Sequence, residues 1–155
     1  MRFLTLDWWR GGLSDEEAEA ASASYKHHFD RIKDRLPKSI LDLWESFSLH
    51  DGNLVGLRWN TESQGLQMVV DGWNSFSGEC RMLYELNFTG VQSFSVDSSR
   101  NNERCQRSGF DDLGYYEVDI VADNTFRMDF LFWSGIEISV TFASLDLKAS
   151  PIAAE

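Results

Sequence analysis

From Ala18 to Leu36 the larger apolar side chains return at three- and four-residue steps, through Ala21, Tyr25, Phe29 and Ile32. That spacing places them on one face of a helix running to about Arg35. Ser14 stands before Asp15, Glu16 and Glu17, which predicts an N-cap, acids against the positive helix end, and a capping box closed by Glu17. The opposite face mixes Glu19, Asp30 and Asp34 with Lys26, Arg31, Lys33 and Arg35 and reads as solvated surface. Pro37 ends this helix or opens a second one, whose stripe is Ile40, Leu43, Trp44 and Phe47. Ahead of both helices, Phe3, Leu4, Leu6, Trp8 and Trp9 predict a short extended segment that ends at Gly11-Gly12 and packs on the core.

Beyond Leu49 the period drops to two. Candidate strands lie at about 53–60, 65–71, 80–88, 91–97, 114–122, 126–133 and 136–146, with Thr89-Gly90 and Ser134-Gly135 as tight connections. Links this short favour antiparallel neighbours, because a parallel pair needs a crossover of about a dozen residues or more. The expected fold is α+β: two N-terminal helices packed on a single, strongly twisted, mainly antiparallel meander sheet of about six or seven strands. Residues 1–147 would form one domain and 148–155 a C-terminal tail. The polar stretch Ser98–Leu113, with Arg100, Arg104 and Arg107, is expected to be a long surface loop.

The last three strands carry a register argument. Tyr116, Val118 and Ile120 share one face, as do Phe126, Met128, Phe130 and Phe132, and then Ile136, Ile138, Val140 and Phe142. A three-residue loop Asp123-Asn124-Thr125 would set Ile120 opposite Met128, and Trp133-Ser134-Gly135 would form the next turn. On the other face Asp119 would then oppose Asp129, with Glu117, Leu131 and Glu137 in the adjacent row and Tyr115 and Trp133 beyond. Like charges directly opposite cost some tenths of a kcal/mol to about one, so such a face invites a cationic counterpart, with the aromatics as anchors. The plainer alternative is a solvated sheet face neutralised by Arg127.

Charge sharpens this picture. The chain of 155 residues has a formal net charge of -11, and residues 108–155 hold nine acids against two bases. An acidic pole of this kind repels phosphate backbones and anionic lipid heads, so neither nucleic acid nor a membrane is an expected partner. Six Trp and eleven Phe supply ample material for a core. Cys80 and Cys105, without a CxxC spacing, suggest neither a disulfide framework nor a zinc site, and reduced thiols are expected. Asp7 interrupts the early apolar run, no small-residue cleavage site follows, and no run of about 18 apolar residues occurs. A soluble, cytoplasmic protein is the expectation.

Candidate chemistry is sparse. His50 beside Asp51 could bind metal or move protons, but equally the pair caps backbone groups at the helix-to-strand turn, where Gly52 follows. His27 and His28 are adjacent on a helix and point about 100° apart, which prevents joint ligation of one ion. Asp119 with Asp129 offers oxygens for a glycosidase or a cation, yet a flat exposed face lacks the pocket that raises one carboxyl. No catalytic residue, metal ligand set or cofactor is assigned.

Met1-Arg2-Phe3-Leu4-Thr5-Leu6-Asp7-Trp8-Trp9, together with Leu49-His50-Asp51-Gly52 leading straight into a strand, resembles a group of short uncharacterised bacterial proteins. Some similar small acidic proteins are immunity proteins encoded beside toxins. The resemblance implies a bacterial cytosolic origin and an α+β fold, and it carries over no catalytic residue. The leading expectation is therefore a non-enzymatic binding protein, an immunity-type inhibitor whose acidic sheet face (Tyr115, Glu117, Asp119, Asp129, Leu131, Trp133, Glu137) meets a cationic protein partner such as a toxin domain. One alternative is a small-ligand protein with an aromatic pocket near Trp44, Trp59 and Trp73. Another is an enzyme centred on His50 and Asp51.

Overall fold

The computed structural model describes residues 1–73, 80–100 and 109–152. Ser14 caps helix α2 (Asp15–Ile32): its hydroxyl accepts from Glu17 N at 3.3 Å while Glu17 accepts from Ser14 N at 2.9 Å, closing the capping box. A 3-10 turn over Lys33–Arg35 and helix α3 (Lys38–Glu45) follow, with Pro37 at the junction. Trp8 and Trp9 belong not to an extended segment but to a one-turn helix, α1 (Leu6–Trp9), which Thr5 caps by accepting from Trp8 N.

Eight described strands form one antiparallel sheet: β1 (Ser48–Asn60), β2 (Gly65–Trp73), β3 (Arg81–Thr89), β4 (Ser93–Asp97), β5 (Asp112–Ala122), β6 (Thr125–Phe132), β7 (Glu137–Phe142) and β8 (Ser144–Pro151). Their order is β4-β7-β6-β5-β1-β2-β3-β8, which is not the simple meander expected. The run read as one strand over 136–146 breaks at Ala143 into β7, beside β4, and β8, beside β3. Residues 148–151, expected to be tail, complete β8 instead.

The two ends of this order are joined through the chain. β3 passes into β4 across residues 90–92, and β7 passes into β8 across Ala143 alone. Ala143 N donates to Thr89 O at 3.1 Å and Gln92 N to Thr141 O at 2.8 Å, so the ladder continues round the bend. One bent ribbon therefore serves both ends of the sheet and rolls it into a barrel-like coil. Gly90 sits at the bend with φ +61, where a Cβ would lie 2.9 Å from that of Ala143. The extra residue on the β3–β4 side is a bulge of the kind that turns strands sharply.

The inner face of the coil is the core. Met68, Leu86, Phe130, Ile138, Val140 and Phe142 are fully buried there, each contributing about 1.5–3 kcal/mol. Ile32, Leu36, Ile40 and Leu43 join this same cluster from the helical segment. The helices enter where the sheet is least paired: β1 and β5 share only the register pairs Gly52 with Leu113 and Asn53 with Asp112 among the described residues. Past that point helix groups serve β5. Tyr25 of α2 accepts from Val118 N at 3.2 Å, and Tyr116 donates to Leu43 O of α3 at 2.7 Å. Burial pushes both phenol groups up from their ordinary values.

Candidate functional site

The hairpin β5–β6 turns more tightly than expected. Ala122 pairs with Thr125 across Asp123-Asn124, with Asn124 at φ +53 and a bulge before it. The register moves by two residues, which keeps every side chain on its expected face but changes its neighbour. Asp119 stands opposite Arg127, not Asp129; Glu117 opposes Asp129; Tyr115 opposes Leu131. Leu131 pairs with Glu137 across β6–β7, and Phe132 N donates to Ile136 O at 3.0 Å, the second turn that the sequence predicts.

The acids on this outer face do not stand in open water. Residues 1–5 lie across it, and the Glu117 carboxylate accepts from Arg2 N at 2.9 Å, Phe3 N at 2.8 Å and Leu4 N at 2.6 Å. Glu117 is consequently only 4% exposed. The Met1 ammonium meets Glu137 at 2.7 Å, Asp129 is 9% exposed and bonds Arg127 Nε at 3.0 Å, and Leu131 is fully buried. The expectation of a broad, solvated acidic face is thereby corrected. Like charges at Glu117 and Asp129 are tolerated because three backbone donors quench one and a guanidinium the other.

Beside the covered acids a polar pocket of about 360 Å³ remains, lined by Arg2, His28, Glu117, Asp119, Arg127 and Asp129 among others. Asp119 Oδ1 accepts from Ile120 N at 2.8 Å and lies 3.2 Å from His28 Nε2. Its side chain is 40% exposed, the most open acid in the pocket. His28 reaches it from α2 while His27 does not take part, consistent with the roughly 100° between adjacent helical residues.

At the other end of the same face an aromatic cluster assembles. Tyr115 takes the edges of Trp8, Trp9 and His50 at centroid distances of 4.7, 5.3 and 5.1 Å, and Trp9 meets Trp133 at 4.9 Å. Gly114 makes room, since a Cβ there would fall 2.0 Å from the Trp9 ring. Arg10 lies over Trp133 and bonds its carbonyl. His50 Nδ1 is 3.0 Å from Asp51 Oδ1, and both side chains are well exposed. Asp51 takes φ +59 at the strand entry.

The aromatic residues expected around one pocket are dispersed. Trp44 lines an apolar groove of about 340 Å³ with Leu4, Trp8, Tyr25 and Phe29. Trp59 instead stacks on Phe94, and Trp73 receives Arg81. No group of three or more metal-ligating side chains occurs among the described residues. Cys80 is a free thiol; Cys105, Arg104 and Arg107 lie outside the described residues.

This face, from Thr5 through β7, falls within a single family match covering residues 5–143. The chain belongs to the family described as "Protein of unknown function (DUF4085)". No curated protein matches it. The DUF4085 description names neither a toxin nor an immunity role, and no LHDG signature accompanies it. No helix among the described residues is long and apolar enough to cross a membrane.

In this DUF4085 chain the sequence brings the expected residues to one face but conceals what covers them. Glu117 and Glu137 are bonded by the N-terminal segment, Asp129 is paired with Arg127, Leu131 is buried between them, and Tyr115 and Trp133 gather around α1. The groups that were missed are the backbone N–H donors of Arg2, Phe3 and Leu4, and His28 on Asp119. Two signals pointed to the covering segment: Leu131 is a large apolar residue on the supposedly wet face, and the first nine residues carry six large apolar side chains that need a surface to cover.

Proposed function

We propose that this protein is a non-enzymatic binding protein, an immunity-type inhibitor that engages a cationic protein partner. The observation that carries this reading is the pocket at Asp119, where carboxylates of β5 and β6 converge and one of them stays open to solvent. With Glu117 and Leu131 covered, the contact is a socket and not a broad sheet. A Lys or Arg side chain of the partner enters it and meets Asp119, beside the Asp129–Arg127 pair. The chain's net charge of -11 steers a basic partner into the encounter, an effect that salt screens over about 8 Å.

Arginine amide serves as the probe in an amide-resolved NMR titration. The expected shifts concentrate at Val118, Asp119, Arg127 and Asp129, shrink with added salt and vanish in Asp119→Asn. Shifts scattered over every surface acid, or unchanged in the variant, would refute the socket.

A second reading draws on the apolar groove at Trp44, whose lining of Leu4, Trp8, Tyr25 and Phe29 suits a small apolar ligand. Saturable quenching of tryptophan fluorescence by indole, abolished in Trp44→Leu, is its expected sign; linear, unsaturable quenching dismisses it.

A further inference from the structure

The covered face already has an occupant, and that occupant describes the ligand. Leu4 and Leu6 of residues 1–12 are buried, at 8% and 4% exposure, yet neither belongs to the continuous core cluster. The segment is held by the outer sheet face and by α2, where Trp8 Nε1 donates to Ala18 O at 3.0 Å and the Phe3 ring meets Tyr25 and His28. Three backbone N–H groups reach Glu117, Asp7 pairs with Arg100 at 2.6 Å, and Trp8 and Trp9 rest edge-on against Tyr115. It joins α2 through Gly11-Gly12, where Gly11 takes φ +70 in open space. It meets a carboxylate that accepts consecutive backbone donors and Gly114, bare enough to admit an indole ring, on the face where Leu131 is fully buried.

We infer that residues 1–12 are an exchangeable strap over a peptide-docking face, and that this face takes an extended segment of the partner. The segment presents successive backbone N–H groups to Glu117 and a large aromatic side chain to Gly114 and Tyr115. The inference rests on the binding role proposed above; Met1, Arg2 and Phe3 of the strap line the Asp119 pocket, so its displacement also opens that pocket further. Its chemistry is read from the strap: backbone donors satisfy the buried carboxylate whatever the side chains are, and the aromatic fixes the register. In cis the strap competes at an effective concentration on the order of millimolar, so the resting protein is closed and a partner must displace it.

The test uses the full chain and a fluorescein-labelled peptide of the strap sequence, residues 1–12, followed by anisotropy. Trp9→Ala weakens the strap from its own side and leaves the face intact, so it is expected to bind the peptide about 10-fold tighter or more than the unaltered chain. Adding Glu117→Gln to Trp9→Ala is expected to remove that binding. Hydrogen exchange supplies the second measurement: the amides of Arg2, Phe3 and Leu4 are expected to exchange about 100-fold faster than those of Met128 and Phe130, with a further rise in Trp9→Ala. Strap amides that exchange only together with Met128 and Phe130 would make the segment an integral part of the fold and overturn the inference. So would faster strap exchange in Trp9→Ala without peptide binding, and so would a concentration-dependent dimer of the unaltered chain with protected strap amides, which would make the occupant a second copy. Loss of peptide binding with the arginine-amide response intact sinks the strap alone, whereas the converse sinks the socket alone.

Discussion

Replacing Glu117 by Gln tests the polar knot that joins the N-terminal segment to the sheet. Two of the three donors, Phe3 N and Leu4 N, share Oε1, and Arg2 N uses Oε2. A glutamine keeps one carbonyl oxygen for the shared pair but turns an NH2 group toward Arg2 N, donor against donor. Hydrogen bonds to an ionised acceptor are roughly twice as strong as neutral ones, so each bond of the retained pair loses about 1–1.5 kcal/mol. The third donor, left facing another donor, costs about 1–2 kcal/mol. Neutralising a group only 4% exposed also removes the cost of burying its charge, which offsets part of the loss. The net expectation is about 2 kcal/mol of destabilisation, or roughly 4–8 °C in Tm for a domain of this size.

Urea unfolding followed by both far-ultraviolet circular dichroism and tryptophan fluorescence measures it, with Glu137→Gln as the comparison. Glu137 meets a single ammonium at 2.7 Å and keeps 25% side-chain exposure, so its replacement is expected to cost about 1 kcal/mol or less. If Glu117→Gln falls within about 0.5 kcal/mol of the unaltered chain, the three bonds are not the anchor described and the reasoning fails.

Two other outcomes follow from the same face and its neighbourhood. Gly114→Ala puts a methyl 2.0 Å from the Trp9 ring, which must leave its place between Tyr115 and Trp133; the expected cost is about 1–3 kcal/mol in thermal melts, with a red-shifted tryptophan emission, and a wild-type spectrum would contradict it. The Asp112 carboxyl is held above its ordinary value, first by loss of solvation and then by Asp111 and Asp51, against the pull of Arg81 and His50. The fold therefore holds that proton more tightly than the unfolded chain, and the stability it contributes is full below the ordinary Asp value and fades as pH rises through the raised one. Carboxyl-detected NMR should show the raised midpoint falling in Asp51→Asn; a midpoint that does not move removes Asp51 as a cause.

The helices and the strand alternation were legible because each rests on a local signal: a capping box at Ser14, a stripe to Leu36, and period-two runs between turns. Local signals are silent where a distant segment decides. Asp123-Asn124 accommodates the two-residue turn because Asn124 accepts a left-handed backbone, and the bulge at Val121 absorbs the odd residue that a three-residue loop would otherwise supply. A two-residue slip is invisible to an argument from alternation, since it preserves which side each residue faces. The split of the last strand at Ala143 was equally silent, because nothing in the period marks a bend shared with Gly90 on another strand.

The acidic face failed for a more instructive reason. A carboxylate at an outward strand position is ordinarily a solvated one, and that premise made Glu117, Asp119, Asp129 and Glu137 look equivalent. They are not equivalent once the chain supplies donors: Glu117 is consumed by backbone, Asp129 by Arg127, Glu137 by the Met1 ammonium, and Asp119 alone keeps two-fifths of its side-chain surface. The discriminating feature is the reach of the N-terminal segment, whose apolar residues have to be covered and whose N–H groups, extended before α1, have no helix or ladder to satisfy them. Both needs are met on one face, at Glu117 and around Tyr115. A sequence that puts a lone large apolar residue among outward acids is describing a covered face, and the segment with surplus apolar residues and unspent donors is the one that covers it.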